Sequence, residues 1–129
     1  MPIGIRFIEH NGILCKGKGD ITGIEIIDAN KKIYKTPESI GEIKYQIVDF
    51  SDIESVEVSS PDIQKIAAQD AFAAKINPRM LIAVVGQDDI VFGLARMWQA
   101  YMDQPSFKTQ IFRTIAEAEK WIADELQIS

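Results

Sequence analysis

Tyr45-Gln-Ile-Val-Asp-Phe-Ser51, Val58-Ser-Ser-Pro-Asp62, Asn77-Pro78 and Met80-Leu-Ile-Ala-Val-Val-Gly-Gln-Asp-Asp89 are successive parts of one stretch. They read strand, turn, helix, strand, turn, which is one βαβ unit. Met80 to Val85 is unbroken apolar sequence, as suits a central parallel strand covered on both faces. Between the strands, Ile63, Ile66, Ala67 and Ala74 fall on one helical stripe. Ser60 is expected to cap this helix, with Pro61 at its first position and Asp62 favouring the positive end of the dipole. Asn77-Pro78 ends it.

Upstream, Ile3, Ile5 and Phe7 alternate as in a strand. Asn11-Gly12 is the dipeptide a type I′ turn favours, so residues 3–19 are expected to form a hairpin. Thr22 and Glu25 form a capping box, and Ile26, Ile27, Ile33 and Tyr34 give the stripe of the helix behind it. That helix must stop before Thr36-Pro37, where a short helical turn begins. Downstream, Asp88 or Asp89 caps a helix from Ile90 to about Met102, and Asp103-Gln-Pro105 closes it. Residues 107–112 are a last strand. Thr114 and Glu117 open a final helix carrying Ile115, Ala118, Ile122 and Leu126 on one side.

The order ββαβαβαβα predicts an α/β domain spanning residues 1–129. Its mixed sheet should have five strands, near 3–9, 13–19, 45–50, 80–85 and 107–112. A chain of 129 residues can bury a full core without crosslinks. The net charge of −5 disfavours nucleic acid as a partner, because phosphate neutralisation needs a basic face. No apolar run approaches the ~18 residues of a membrane span, so no membrane insertion is expected. A single cysteine, Cys15, rules out an intrachain disulfide and fits a reducing, cytoplasmic setting.

Little of the sequence reads as catalytic. His10 stands alone beside the hairpin turn, and a lone histidine without clustered cysteines does not make a metal site. Cys15 lies on a strand and reads as a small buried hydrophobe. The run from Gly12 to Gly19 approaches a phosphate-binding loop, but Gly19 follows Lys18 where a hydroxyl residue is needed. Asp88 and Asp89 are adjacent and point apart, so capping suits them better than cation binding. Trp98 and Trp121 sit at helical positions that suit the core. No cofactor and no metal are expected.

One helix is more apolar than a one-sided helix needs. Between Ile90 and Met102 only Arg96 is charged. Val91, Leu94, Ala95, Trp98 and Met102 make one stripe; Ile90, Gly93, Met97, Ala100 and Tyr101 make much of another. Such a helix is deeply buried or shares a face with a partner, with a homodimer as one form of that contact.

The Tyr45–Ile63 segment, a strand ending Asp-Phe-Ser and then Val58-Ser-Ser-Pro61 opening a helix, resembles the STAS domain. Residues 77–121, with Phe92-Gly-Leu-Ala-Arg-Met-Trp98, resemble its small stand-alone bacterial branch, which is like the sporulation anti-anti-sigma factor. The resemblance implies a non-enzymatic regulatory module that binds another protein. In the antagonists of that family the turn is commonly Asp-Ser-Ser/Thr-Gly, and one hydroxyl is phosphorylated. Here Val58 stands in place of the Asp and Pro61 in place of the Gly, while Ser59 and Ser60 keep the hydroxyls.

Two sites are therefore expected. Ser59, Ser60, Asp62, Gln87, Asp88 and Asp89 should form a polar rim where strands end and helices begin, the edge that ligands of open α/β sheets favour. Its acids would suit a basic protein partner and repel phosphate. Ile90, Gly93, Leu94, Met97, Trp98 and Tyr101 should form an apolar interface or line a pocket. The alternative to an interaction module is a carrier of a small, lipid-like apolar ligand beside this helix. A pocket of at least ~300 Å³ would favour the carrier, and a flat surface the module.

Overall fold

The computed structural model describes residues 3–102 and 108–128. It contains β1 (Ile3–Ile8), β2 (Gly12–Thr22), α1 (Gly23–Ile33), α2 (Pro37–Glu42), β3 (Tyr45–Glu57), α3 (Ser60–Ile76), β4 (Leu81–Val85), α4 (Asp89–Met102), β5 (Lys108–Phe112) and α5 (Ile115–Leu126). The five strands form one mixed sheet in the order β1-β2-β3-β4-β5. β1 and β2 are antiparallel, and the remaining pairs are parallel. The expected close of α4 at Asp103-Gln-Pro105 and the expected strand start at Phe107 lie outside the described residues.

Because the order is sequential, every crossover steps the same way along the sheet. Crossovers of one hand then place their helices on one face. The buried side chains follow this rule. Ile13, Ile82 and Val84 pack with α1, α3 and α4, whereas Tyr45, Ile47, Leu81, Ala83 and Val85 pack with Ala118 and Ile122 of α5. β4 is buried at every position, as its apolar run requires.

Three expectations need correction. The hairpin turns one residue earlier than Asn11-Gly12. His10 (φ 61°) and Asn11 (φ 57°) are the left-handed residues, and Gly12 is the first residue of β2, paired with Ile8. Gly12 is needed for a close approach instead: a Cβ there would run into the Tyr45 ring. That ring passes over the strand, and its hydroxyl donates to the Glu9 carbonyl at 2.8 Å. Ser59, not Ser60, caps α3. Its hydroxyl accepts from the Asp62 amide at 3.2 Å, and the Asp62 carboxylate accepts from the Ser59 amide at 3.4 Å.

The third correction concerns length. β3 continues to Glu57 rather than ending at Phe50, and β2 continues to Thr22 rather than Gly19. β3 pairs with β4 only as far as Asp49. Beyond it, β2 and β3 leave the sheet as a two-stranded ribbon, with register shifts between Lys16 and Lys18 and between Gly19 and Asp20. Such irregularities bend a strand pair.

Candidate functional site

The ribbon and three helices enclose a cavity of about 90 Å³ on the α1/α3/α4 face of the sheet. Val48 of β3, Val84 of β4, Ile66 of α3 and Ala95 of α4 are among its walls. Val56 and Val58, carried in by the ribbon, lie with Ile26 and Leu94 among the half-buried lining residues that mark its mouth. Its floor is polar. Asn30, Gln46, Asp70 and Trp98 all line it.

Asp70 organises that floor. It lies mid-way along α3 and is only 4% exposed. Its Oδ1 accepts from the Tyr34 hydroxyl at 2.7 Å and from Asn30 Nδ2 at 3.4 Å; its Oδ2 accepts from Trp98 Nε1 at 2.8 Å. Gln46 Nε2 donates to the Tyr34 oxygen at 2.7 Å and lies 3.2 Å from the Met80 sulfur. Asn30 Nδ2 also donates to Gln69 at 3.1 Å, and Gln69 Nε2 donates to the Ile27 carbonyl at 3.1 Å. The charge of Asp70 is met by neutral donors alone: among the described residues no ion pair includes it.

Electrostatics follow from this placement. Burial raises the Asp70 pKa from the ordinary 3.8 to about 6, against the opposing pull of its Tyr34, Trp98 and Asn30 hydrogen bonds. Asp70 is therefore mainly ionised at neutral pH. Burial and the Asp70 charge push the Tyr34 hydroxyl well above its usual range, and the same two causes push the Cys15 thiol up to about 12. A thiol held protonated in this way is a poor nucleophile, in keeping with its place in the core.

The apolar set expected on α4 divides between two surfaces. Leu94 and Trp98 line the cavity. Ile90 (64% exposed), Met97 (37%) and Tyr101 (42%) lie on the outside, where Gly93 is also exposed. The residues expected at the rim each have local partners or lie exposed. Ser59 and Asp62 bond each other, and Asp62 packs so closely on Gly23 at the start of α1 that a Cβ there would collide with it. Ser60 is exposed at the first position of α3. Asp88 Oδ1 accepts from the Val91 amide at 3.0 Å and caps α4. Arg113, which the sequence reading passed over, donates to the Gln87 carbonyl at 2.7 Å and to Asp89 Oδ1 at 2.9 Å. Its guanidinium also stacks 3.8 Å from the Phe92 ring centroid.

The sequence held a signal for Asp70 that went unread. Ile63, Ile66, Ala67, Asp70, Ala73 and Ala74 are the i, i+3, i+4, i+7 positions of α3, and all are buried. An acid within an apolar stripe has to be paired, hydrogen-bonded or functional. Gln46 gives a similar signal on β3, since it alternates with Val48 on a buried face.

No helix among the described residues is long and apolar enough to cross a membrane. No protein-family model matches the chain, and no curated protein matches it.

Proposed function

We propose that the chain is a non-enzymatic, cytoplasmic regulatory module of STAS type that binds another protein through the outer face of α4. The observation that carries this reading is the exposed apolar line Ile90, Gly93, Met97 and Tyr101, interrupted only by Arg96 among charged residues. It runs directly on from Gln87, Asp88 and Asp89, which are also exposed. An apolar strip bordered by acids suits a partner whose own apolar face is flanked by basic side chains. The five-stranded mixed sheet in the element order ββαβαβαβα, the short α2 aside, is what the STAS resemblance implies, and it is in keeping with this reading. A lipid-like carrier with its ligand beside α4 is less well supported, because the cavity there, of about 90 Å³, falls below the ~300 Å³ of ordinary ligand pockets.

The test is Met97→Glu, with Phe72→Glu on α3 as a control at another exposed apolar residue. Proteins captured from the native lysate by the wild type should be lost with Met97→Glu and kept with Phe72→Glu. If the strip instead joins two copies of this chain, Met97→Glu should halve the mass seen by light scattering. A Met97→Glu protein that keeps both its mass and its captured proteins would overturn the reading.

A further inference from the structure

The floor of the cavity has a definite hydrogen-bonding sense. An ionised carboxylate only accepts, so every group touching Asp70 must donate to it. That fixes the Tyr34 proton on Asp70 and leaves the Tyr34 oxygen to accept from Gln46. Both Asn30 Nδ2 hydrogens are then engaged, on Asp70 and Gln69. Both Gln46 Nε2 hydrogens are engaged on Tyr34 and Met80, and the Trp98 indole hydrogen on Asp70. Whatever capacity remains on the floor can only accept. The carboxylate itself has room, since it offers about four lone-pair sites and takes three donors.

Three features therefore coincide in one space: apolar walls, an acceptor-only floor, and a buried negative charge without a cation. A carboxylate or phosphate would be repelled there. A hydrocarbon would use none of the remaining acceptor capacity. An ammonium would use it and would supply the missing charge. We propose that this cavity is a binding site for a small apolar ammonium ion, a short alkyl amine. Its head lies on Asp70, and its body lies between Val48, Ile66, Val84 and Leu94. Size sets the length of the ligand. A cavity of ~150 Å³ holds the six carbons of benzene, so about 90 Å³ holds roughly four non-hydrogen atoms, as in n-propylammonium. The site is independent of the protein-binding face, because Met97 and Tyr101 are not among its lining residues.

Trp98 reports on the site directly, because its indole N–H bonds Asp70. Wild-type protein at pH 7.5 is titrated with n-propylammonium, n-propanol and propionate, following the Trp98 indole ¹H–¹⁵N resonance. Saturable shifts are expected with n-propylammonium, at least tenfold tighter than with n-propanol, and none with propionate. Ala95→Leu fills the cavity without touching the Asp70 hydrogen bonds and should abolish the response. Asp70→Asn should remove the preference for the amine over the alcohol. Met97→Glu should bind the amine as the wild type does. Propionate binding as tightly as n-propylammonium would overturn the proposal. So would an unshifted Trp98 resonance at saturating amine, or undiminished binding by Ala95→Leu. If Asp70→Asn does not fold, the wild-type ligand series and Ala95→Leu still decide the matter.

Discussion

The two faces of the sheet are made from alternate residues of the same strands, yet they are packed differently. On the α5 face, Tyr45, Ile47, Leu81, Ala83 and Val85 meet Ala118 and Ile122, with Phe112 and Trp121 in ring contact at 5.7 Å. One helix closes that face, and the buried acid that alternates onto it, Asp49, is paired with Lys16 at 3.5 Å and accepts from Ser51. On the other face, Gln46, Ile82 and Val84 lie beneath three helices that leave a cavity and hold Asp70 at its floor. The first arrangement pairs its buried acid with a cation. The second carries a buried charge met by neutral donors alone, and such departures from good packing gather at functional sites.

The comparison can be broken most easily by truncation. Ile122→Ala should cost toward the upper end of about 2–5 kcal/mol, because its void opens in closed packing. Ile66→Ala should cost toward the lower end, since Ile66 already borders a space and has fewer contacts to lose. Urea unfolding of both variants would show the difference, and equal losses would mean that the two faces are packed alike.

A pH series sharpens the contrast further. The folded Asp70 pKa lies above its unfolded value, so the folded state holds this proton more tightly. The Asp70 contribution to stability therefore falls as pH rises from about 4 to about 6, and stays low above that. Raising the pKa from 3.8 to about 6 corresponds to about 3 kcal/mol. Tyr34 and Cys15, whose pKa values are pushed up, keep their protons throughout this range. The stability of Asp70→Asn minus that of the wild type should therefore increase by about 2 kcal/mol between pH 4 and pH 7. A flat difference would contradict the buried charge.

Smaller effects test the helix starts. Ser59→Ala should cost about 1 kcal/mol, while Ser60→Ala should stay within about 0.5 kcal/mol, because only Ser59 accepts the Asp62 amide. The reverse order in thermal or urea unfolding would return the cap to Ser60. Met97→Glu should change stability least, within about 0.5 kcal/mol, since Met97 is an exposed residue of α4.

Most of the architecture could be read from local pattern. Capping boxes at Thr22 and Thr114, the unbroken run of β4 and the breaker Asn77-Pro78 each act through neighbours a few residues away, and each lies where expected. What escaped depends on distant partners. The hairpin turn shifted because Gly12 is required by Tyr45, 33 residues on, a demand invisible in the dipeptide Asn11-Gly12. The ribbon extending β2 and β3 was legible in part, since Ile53, Val56 and Val58 are apolar within a charged run. Its register shifts were not. The cavity floor draws one residue from each of several elements: Asn30 from α1, Gln46 from β3, Asp70 from α3 and Trp98 from α4. Only the fold brings these four together. The α4 helix was recognised as apolar on two sides, but which side faced inward could not be read from periodicity alone.

The sequential strand order has a consequence for how the chain assembles. Every strand pairs with the strand before it, so none has to be inserted between two already joined. The sheet can grow at one margin in the direction of synthesis. Until β5 arrives, that margin is β4, the apolar run Leu81–Val85. Twenty-three positions separate Val85 from Lys108, so at ~5–20 residues per second β4 stays unpaired on its outer side for roughly 1–5 s. A nascent chain stalled in that interval presents its most adhesive strand with nothing beside it, and it is there that a chaperone has most to protect.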